Sequence, residues 1–373
     1  MSDTQGDTRR ETAALLEIRG LKTQFRTRRG VVPAVDDVSV TVGRGEVVGI
    51  VGESGCGKSV TSLSLLGLVT HPGKVVGGSA LFDGIDLLSL DNKGIRAIRG
   101  RDISMIFQEP MTSLNPVYTV GQQVAECLRS HASGVSRKAA RASVEEMFEM
   151  VGIPEPRKRL DAWPHQLSGG LRQRVMIAMA LICKPKLLIA DEPTTALDVT
   201  IEAQILALMK DLRRDTGTAI MLISHNLGVI AETCDRVYVM YAGRVMEEAE
   251  VFELFDSPTH PYTRGLLASM PRIGGEAGPR KALYSIRGNV PDMQQLPKGC
   301  RFAPRCDFAM VRCVESEPPL LATGHAASHA AGSPGGKPHL SRCWLAEARA
   351  GAAGSGGAGS GGAAGVPVAG GRP

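Results

Sequence analysis

The chain has 373 residues, a net charge of +5, 43% hydrophobic residues and only 4% aromatic residues. This length suits one large domain with an extension or two modest domains, and the apolar content excludes wholesale disorder. Basic runs at 26–29 and 157–159 are interpreted as solvated faces rather than tracks for nucleic acid.

The sequence lacks the signals of a membrane-spanning or exported chain. No run approaches the about 18–20 consecutive apolar residues that cross a bilayer. The segment Met1–Thr12 is polar, and no long apolar core follows Arg9 and Arg10, so a secretory or twin-arginine signal is not expected. The chain is expected to stay in the cytoplasm, where disulfides among its eight cysteines are not expected.

In chain order, a loose leader at 1–13 is followed by alternating short apolar runs and helical patterns. Strands are predicted at 46–51, 103–107, 187–190, 219–224 and 236–241. Helices are predicted at 58–69, 136–151, 171–182 and 201–214. Continuous apolar strands are typical of parallel strands covered on both faces, so the predicted class is α/β. The strand-rich segment 16–84 predicts an antiparallel subdomain at the edge.

A glycine-rich loop follows the strand at 46–51 and precedes a helix. It fits the phosphate-loop pattern G-x-x-x-x-G-K-[ST]. Its residues are Gly52, Glu53, Ser54, Gly55, Cys56, Gly57, Lys58 and Ser59. The next residue, Val60, is also predicted to contact the nucleotide. Glycines let the backbone N–H groups point at a phosphate, and the helix N-terminus adds positive charge. Lys58 is expected to contact the β- and γ-phosphates, and the Ser59 hydroxyl to bind Mg²⁺.

Two acids end the strand at 187–190. Taken alone, the two acids would indicate a buried strand whose end is solvated. Downstream of a phosphate loop, however, they are typical of a Walker B element. Asp191 is expected to hold Mg²⁺, through water. Glu192 is expected to act as the general base on the attacking water.

The segment 167–174 reads L-S-G-G-L-R-Q-R. It resembles the LSGGQ signature of the ABC ATPases, with Leu171 where Gln is commoner. Ser168, Gly169 and Gly170 open a helix and therefore form a second anion-binding end. In that family, this end faces the γ-phosphate that the opposite subunit of a head-to-tail dimer binds.

Single residues match the same family. Gln108 corresponds to the Q-loop glutamine, which contacts Mg²⁺. Asp198 belongs to the D-loop, and His225 corresponds to the switch histidine that contacts the γ-phosphate. The resemblance covers about residues 14–255. It implies a P-loop NTPase with a RecA-like core, an antiparallel β subdomain and a helical subdomain.

The family usually stacks the adenine ring on an aromatic residue that precedes the phosphate loop. Phe25 is the only nearby aromatic residue. Both adenine stacking and packing in the core remain open for it.

The C-terminal third resembles the oligopeptide/dipeptide/nickel uptake subfamily. The motif is His260-Pro261-Tyr262-Thr263, and segments 105–115 and 299–306 are similar to that subfamily's Q-loop region and C-terminal extension. The expected organisation is a leader at 1–13, a cassette at 14–270, an extension at 271–348, and a disordered Gly/Ala-rich tail at 349–373.

Four cysteines crowd into the extension: Cys300, Cys306, Cys313 and Cys343. Their spacing differs from the paired C-x₂-C pattern of common zinc sites. Four thiolates suit zinc or an iron–sulfur cluster, and unmetallated thiols are the remaining alternative. Members of the subfamily carry a [4Fe–4S] cluster here, so the resemblance implies one, with a structural role.

The resemblance implies a Mg²⁺- and ATP-dependent ATPase subunit of a di- or oligopeptide importer at the cytoplasmic face of the membrane. Nickel or another small solute is the alternative cargo. The implied partners are two transmembrane permeases, a homologous ATPase in a heterodimer and, indirectly, an extracytoplasmic peptide-binding protein. No nucleic acid is expected. The competing class is a soluble ABC ATPase of DNA repair or translation, which usually carries two cassettes or long insertions.

Overall fold

The computed structural model describes residues 14–108, 113–132, 134–194, 199–270, 284–323 and 338–347. The strands are β1 (Leu16–Thr27), β2 (Gly30–Val42), β3 (Val47–Val51), β4 (Gly73–Phe82), β5 (Ile85–Asp86), β6 (Ile103–Ile106), β7 (Leu187–Asp191), β8 (Ala219–Ile223), β9 (Arg236–Tyr241), β10 (Arg244–Glu250), β11 (Leu321–Ala322) and β12 (Leu340–Ser341). The helices are α1 (Lys58–Leu65), α2 (Asn92–Ile98), α3 (Val120–His131), α4 (Arg137–Met150), α5 (Pro156–Arg159), α6 (Gly169–Leu181), α7 (Val199–Thr216), α8 (Leu227–Thr233), α9 (Val251–Asp256), α10 (Pro261–Ala268) and α11 (Val311–Glu315). The predicted α/β class is confirmed.

Strands between residues 16 and 86 form a separate antiparallel sheet. Its strand order is β2-β1-β4-β5, and β1 pairs with β2 and β4 on its two sides. This sheet is the predicted antiparallel subdomain. It packs through β-branched and aliphatic side chains such as Val38, Val40 and Leu21, all of which are buried.

The central sheet is mainly parallel. Its order is β11-β12-β10-β9-β3-β8-β7-β6, and the run from β9 to β6 is parallel throughout. Strands β3, β7 and β8 are buried along their whole length. Continuous burial agrees with the prediction that both faces of this sheet are covered.

Alternate residues of these strands enter two different cores. Leu187 and Ile189 pack with the antiparallel sheet, whereas Leu188 and Ala190 pack with the helices. Successive side chains of a strand point to opposite faces, so one short strand supports both layers. The strand that carries the acids Asp191 and Glu192 at its end is therefore held from both sides.

Helices α3, α4 and α6 pack together as a helical subdomain. In α4, Ser136 caps the N-terminus by accepting a hydrogen bond from the Ala139 N–H at 3.1 Å. Val144, Met147 and Phe148 form its buried face, as the helical spacing predicts. Helix α1 was predicted to reach 69 but ends at Leu65, because Gly67 takes a left-handed conformation with φ of 58°.

The C-terminal residues join the central sheet. Strand β12 pairs antiparallel with β10, placing Ser341 opposite Glu247, and β11 extends the edge further. Cys300, Phe302 and Cys313 belong to the same apolar cluster as the helical layer. The described part of the extension therefore shares a core with the cassette. Within the described residues, no helix combines the length and apolar character needed to cross a bilayer.

Candidate nucleotide-binding site

The loop between β3 and α1 has a backbone that tolerates few side chains. Gly52 has φ of 152°, and a Cβ there would lie 2.1 Å from the Met240 carbonyl oxygen. Gly57 has φ of 101°, and a Cβ there would lie 2.3 Å from the Ala34 carbonyl oxygen. Only glycine fits both the conformation and the space at these two positions. These two glycines thus fix the backbone path of the loop at the N-terminus of α1.

Lys58 begins α1 with its side chain folded back over the loop. Its Nζ donates hydrogen bonds to the carbonyl oxygens of Gly52 at 2.8 Å and Glu53 at 3.2 Å. Ser54 and Gly55 face solvent on the other side of the loop. An ammonium group thus lies across a loop whose outer face is open, which is suitable for a triphosphate.

Asp191 lies at the end of β7 beside the phosphate loop. Burial raises the pKa of this carboxyl group, and a hydrogen bond from Ser59 and the charge of Lys58 only partly offset that rise. Its Oδ1 atom is buried without a hydrogen-bond partner. A buried carboxylate oxygen that lacks a donor, beside a hydroxyl group, fits the hard oxygen ligands that Mg²⁺ prefers.

The Glu192 side chain contacts residues that follow two other strands of the central sheet. Its Oε2 accepts a hydrogen bond from Gln108 Nε2 at 3.2 Å and lies 3.2 Å from His225 Nδ1. Its backbone is left-handed with φ of 48°, and its N–H donates to the Ile223 carbonyl oxygen at 2.9 Å. Such backbone strain in a non-glycine residue is typical of functional sites. Residues that follow β6, β7 and β8 therefore converge on one carboxylate.

The serine-glycine segment lies at the N-terminus of α6. Ser168 caps the helix by accepting a hydrogen bond from the Leu171 N–H at 3.4 Å. Ser168 and Gly169 are exposed, and a Cβ at Gly169 would meet no atom within 4 Å. This helix N-terminus is free to receive an anion from outside the subunit. Gln173, one turn later, donates to the Pro193 carbonyl oxygen and connects this helix to the chain beyond Glu192.

Other predicted residues have less defined positions. Asp198 and the rest of the D-loop lie outside the described residues. Val60 is half-buried against the antiparallel sheet's core. Phe25 is half-buried, and its ring contacts the position of Gly73 beside Val69. This contact describes packing and leaves the adenine-stacking residue unassigned.

The four C-terminal cysteines surround one small pocket. Cys300, Cys306, Cys313 and Cys343 line it together with Phe302 and Trp344. Burial raises the pKa of Cys300 to about 12, and burial and neighbouring cysteines also raise the pKa of Cys306 and Cys343. In the part of the chain that the structure describes, no three His, Cys, Asp or Glu side chains are arranged to hold a metal ion. The four cysteines thus line one pocket without the arrangement of a preformed metal site.

Two contacts between the C-terminal third of the chain and the phosphate loop were missed by the sequence analysis. The Glu53 N–H donates to the Tyr262 hydroxyl at 2.9 Å. Arg305 forms two hydrogen bonds to the Glu53 carboxylate, of 2.6 Å and 3.0 Å. No local pattern could have indicated them, because the partners are 209 and 252 residues apart.

Comparisons with known proteins agree with this geometry. Residues 35–195 match the family "ABC transporter", and residues 246–313 match "Oligopeptide/dipeptide transporter, C-terminal region". A putative peptide import ATP-binding protein of Brucella ovis is 53% identical over 82% of this chain and 93% of its own. The oligopeptide transport ATP-binding protein AppD of Bacillus subtilis is 53% identical over 83% of this chain and 93% of its own.

A solved structure also aligns with the cassette. The dimeric ATP-binding cassette MJ0796, bound to ADP and Pi, has a TM-score of 0.58 and 28% identity. The alignment covers 63% of this chain and 98% of that cassette.

Proposed function

The chain belongs to the ABC transporter ATP-binding family, in the oligopeptide/dipeptide group, and from this we propose that it powers the import of peptides by hydrolysing ATP. Relatives with about half of their residues identical are named a putative peptide import ATP-binding protein and an oligopeptide transport ATP-binding protein. Their similarity spans 315 and 310 residues of alignment. The chain is an ATPase and the energy-supplying subunit of a peptide importer.

The observation that carries the chemistry is the convergence of Gln108 and His225 on Glu192. Glu192 would accept the proton of the attacking water, and that water would lie near Asp191, the carboxylate expected to hold Mg²⁺. His225 and Gln108 would hold the Glu192 carboxylate and contact the γ-phosphate side of the site. Asp191 and Ser59 would bind Mg²⁺, which neutralises charge on the transferred phosphoryl group.

Phosphate binding would replace the contacts that Lys58 now makes. Its Nζ is held by two loop carbonyl oxygens, at 2.8 Å and 3.2 Å. A β,γ-phosphate bridge would offer negatively charged acceptors instead, and the ammonium group would gain an ion-pair attraction that the carbonyl oxygens do not supply. Lys58 would therefore turn from the loop to the nucleotide.

The exposed Ser168 end of α6 supports a two-subunit site. This end would bind the γ-phosphate of ATP held by a facing subunit, which we expect to be a homologous ATPase. Closing the pair would add hydrogen bonds to a charged group, each worth about 1.5–3 kcal/mol. Hydrolysis removes the γ-phosphate and with it those bonds, so the subunits can separate.

A groove beside Gln108 supports docking on membrane permeases. It has a volume of about 330 Å³ and is lined largely by apolar side chains, among them Leu66, Met105, Phe107 and Met179. Phe107 is 42% exposed although it directly precedes Gln108. A permease helix in this groove would contact the residue next to the catalytic glutamine. The proposed location is peripheral, at the cytoplasmic face of the membrane.

The experiment that tests this function is reconstitution with the permeases and the extracytoplasmic binding protein. The wild-type complex is expected to take up labelled peptide in an ATP-dependent manner, and Lys58→Ala is expected to abolish uptake. Mass identification of chains that copurify from membranes would name the permeases and the second ATPase. Nickel uptake without peptide uptake would favour the alternative cargo. Full ATP hydrolysis by the isolated chain, with no membrane partner, would favour a soluble ABC ATPase.

The cysteine pocket is a candidate site for a [4Fe–4S] cluster. Four sulfur atoms around one buried pocket beside Phe302 and Trp344 support this assignment. A metal group binds thiolates, so it would replace the protons that burial now favours on Cys300 and Cys343. Iron and sulfide analysis with a visible absorption spectrum tests the assignment. Zinc alone, or thiols without metal, would contradict it.

A further inference from the structure

The phosphate loop contains an acidic residue whose charge opposes its function. Glu53 is the second residue of the loop, and its carbonyl oxygen accepts a hydrogen bond from Lys58 Nζ at 3.2 Å. The Lys58 ammonium group, which is expected to bind the phosphates, therefore contacts the backbone of Glu53. A carboxylate carried by the phosphate loop repels a triphosphate bound to that loop, and partial burial strengthens the repulsion. Some group must neutralise Glu53 for ATP to bind well.

Arg305 meets this requirement. It contacts both carboxylate oxygens of Glu53, at 2.6 Å and 3.0 Å, in the two-pronged geometry that suits guanidinium and carboxylate. The Arg305 side chain is only 6% exposed and that of Glu53 only 26%, so solvent screens the pair weakly.

Arg305 is itself held firmly by the extension. Its Nε donates to the Arg287 carbonyl oxygen at 2.9 Å. Its guanidinium lies 5.7 Å from the ring centre of Tyr241 and 6.0 Å from that of Phe302. It also ends the short turn Ala303–Arg305, which runs between two of the pocket cysteines. The position of the positive charge is thus set by the cysteine segment.

The geometry points to Arg305 as the residue that neutralises Glu53, so that the C-terminal extension sets the affinity of the phosphate loop for ATP. Tyr262 contributes from the same side, because its hydroxyl accepts the Glu53 N–H. Arg305 is a positioning residue that acts through Glu53. This inference rests on the proposed nucleotide function and assigns to the extension a part in it.

If Arg305 acts by neutralising the charge of Glu53, substituting Arg305 and substituting Glu53 should affect the Kd for Mg·ATP differently. Arg305→Gln leaves Glu53 negative and should raise the Kd for Mg·ATP about tenfold. Glu53→Gln also breaks the ion pair but removes the offending charge, so its Kd should equal or fall below that of the wild type. The double variant should bind ATP within about threefold of the wild type. A purely structural bond would weaken ATP binding in both single variants.

The test uses the full-length chain, with Kd values for Mg·ATP from calorimetry. Arg312→Gln is the matched control, because Arg312 lies in the same extension, is 52% exposed and pairs with Glu347. The control should bind ATP as the wild type does. Arg305→Gln binding like the control, or Glu53→Gln binding as weakly as Arg305→Gln, would overturn the inference. If Arg305→Gln does not fold, the Glu53→Gln result decides alone. A wild-type chain that binds no Mg·ATP would overturn the nucleotide function, and the inference with it.

Discussion

Glu192 is the residue on which the proposed chemistry depends most directly. Its carboxylate holds Gln108 and His225 at 3.2 Å each, and its left-handed backbone is kept in place by the hydrogen bond to Ile223. We expect Glu192→Gln to keep ATP affinity, because the amide has the same shape. Hydrolysis should fall at least about hundredfold, because the amide cannot accept the proton.

This prediction is checked by steady-state phosphate release from the assembled complex. Glu232→Gln is a suitable control, because Glu232 is an exposed acid that pairs with Lys210 away from the site. A Glu192→Gln complex that hydrolyses ATP at nearly the wild-type rate contradicts the assignment of the base.

Most site residues could be predicted from sequence because they sit in short local patterns. The loop glycines, Lys58 and the acids at the end of β7 are each fixed by their neighbours in the chain. The contact of Arg305 with Glu53 could not be predicted, since it joins residues 252 positions apart. The D-loop residue Asp198 stays a prediction.

At the scale of elements, the attachment of β12 to β10 depends on a buried cluster around His339. Its Nε2 lies 2.7 Å from Glu247 Oε1, and its Nδ1 lies 3.1 Å from Glu253 Oε1. Burial by itself lowers the pKa of His339, but hydrogen bonds and charges from Glu247 and Glu253 outweigh that effect and raise the pKa above 6.5. The His339 imidazole therefore joins two acidic side chains to the last strand.

A pH dependence follows from this raised pKa. The stabilisation is complete below about 6.5, the pKa of an unfolded histidine, and is lost as the pH rises through the higher folded value. We expect the melting temperature of the wild type to fall over that range more than that of His339→Gln. We also expect His339→Gln to cost about 2 kcal/mol at pH 6. Thermal unfolding at several pH values measures both, and parallel curves would contradict the role of His339.

The main elements were predictable to within a few residues, because hydrophobic period and capping residues mark their ends. Helix α4 begins after Ser136 and α6 after Ser168, as expected of N-caps. The pairing of β12 with β10 was not predictable. The strand Leu340–Ser341 has only two residues and is too short to show an alternation of apolar and polar residues. Its partner strand also lies far away in the chain.

At the scale of the whole molecule, the exposed N-terminus of α6 should work only in a pair. We expect Ser168→Arg to reduce hydrolysis by the assembled complex at least about tenfold, because an arginine side chain blocks the approach of a facing nucleotide. The Kd of the isolated chain for ATP should not change. Ser136→Arg is the matched control, since Ser136 also caps a helix but belongs to α4. Equal hydrolysis by both variants would contradict the two-subunit site.

The whole-molecule arrangement could be predicted in outline from the order of motifs along the chain. The fusion of the extension with the cassette could not, because the segment from 271 is rich in Gly and Pro and shows no core pattern. In the structure, Phe302 and two of the cysteines fill the same apolar cluster as the helical layer.

The outward orientation of Ser168 has a genetic consequence. An allele with Ser168→Arg would encode a chain whose own catalytic residues are intact but which silences the site of whichever chain it joins. Co-expressed with the normal allele, such a product would form inactive complexes with the partner ATPase and the permeases. It would therefore act as a dominant inhibitor of growth on peptides. A Lys58→Ala allele would harm its own nucleotide pocket instead, and because a heterodimer holds one copy of this chain, the two alleles could not restore a working site in each other's complexes.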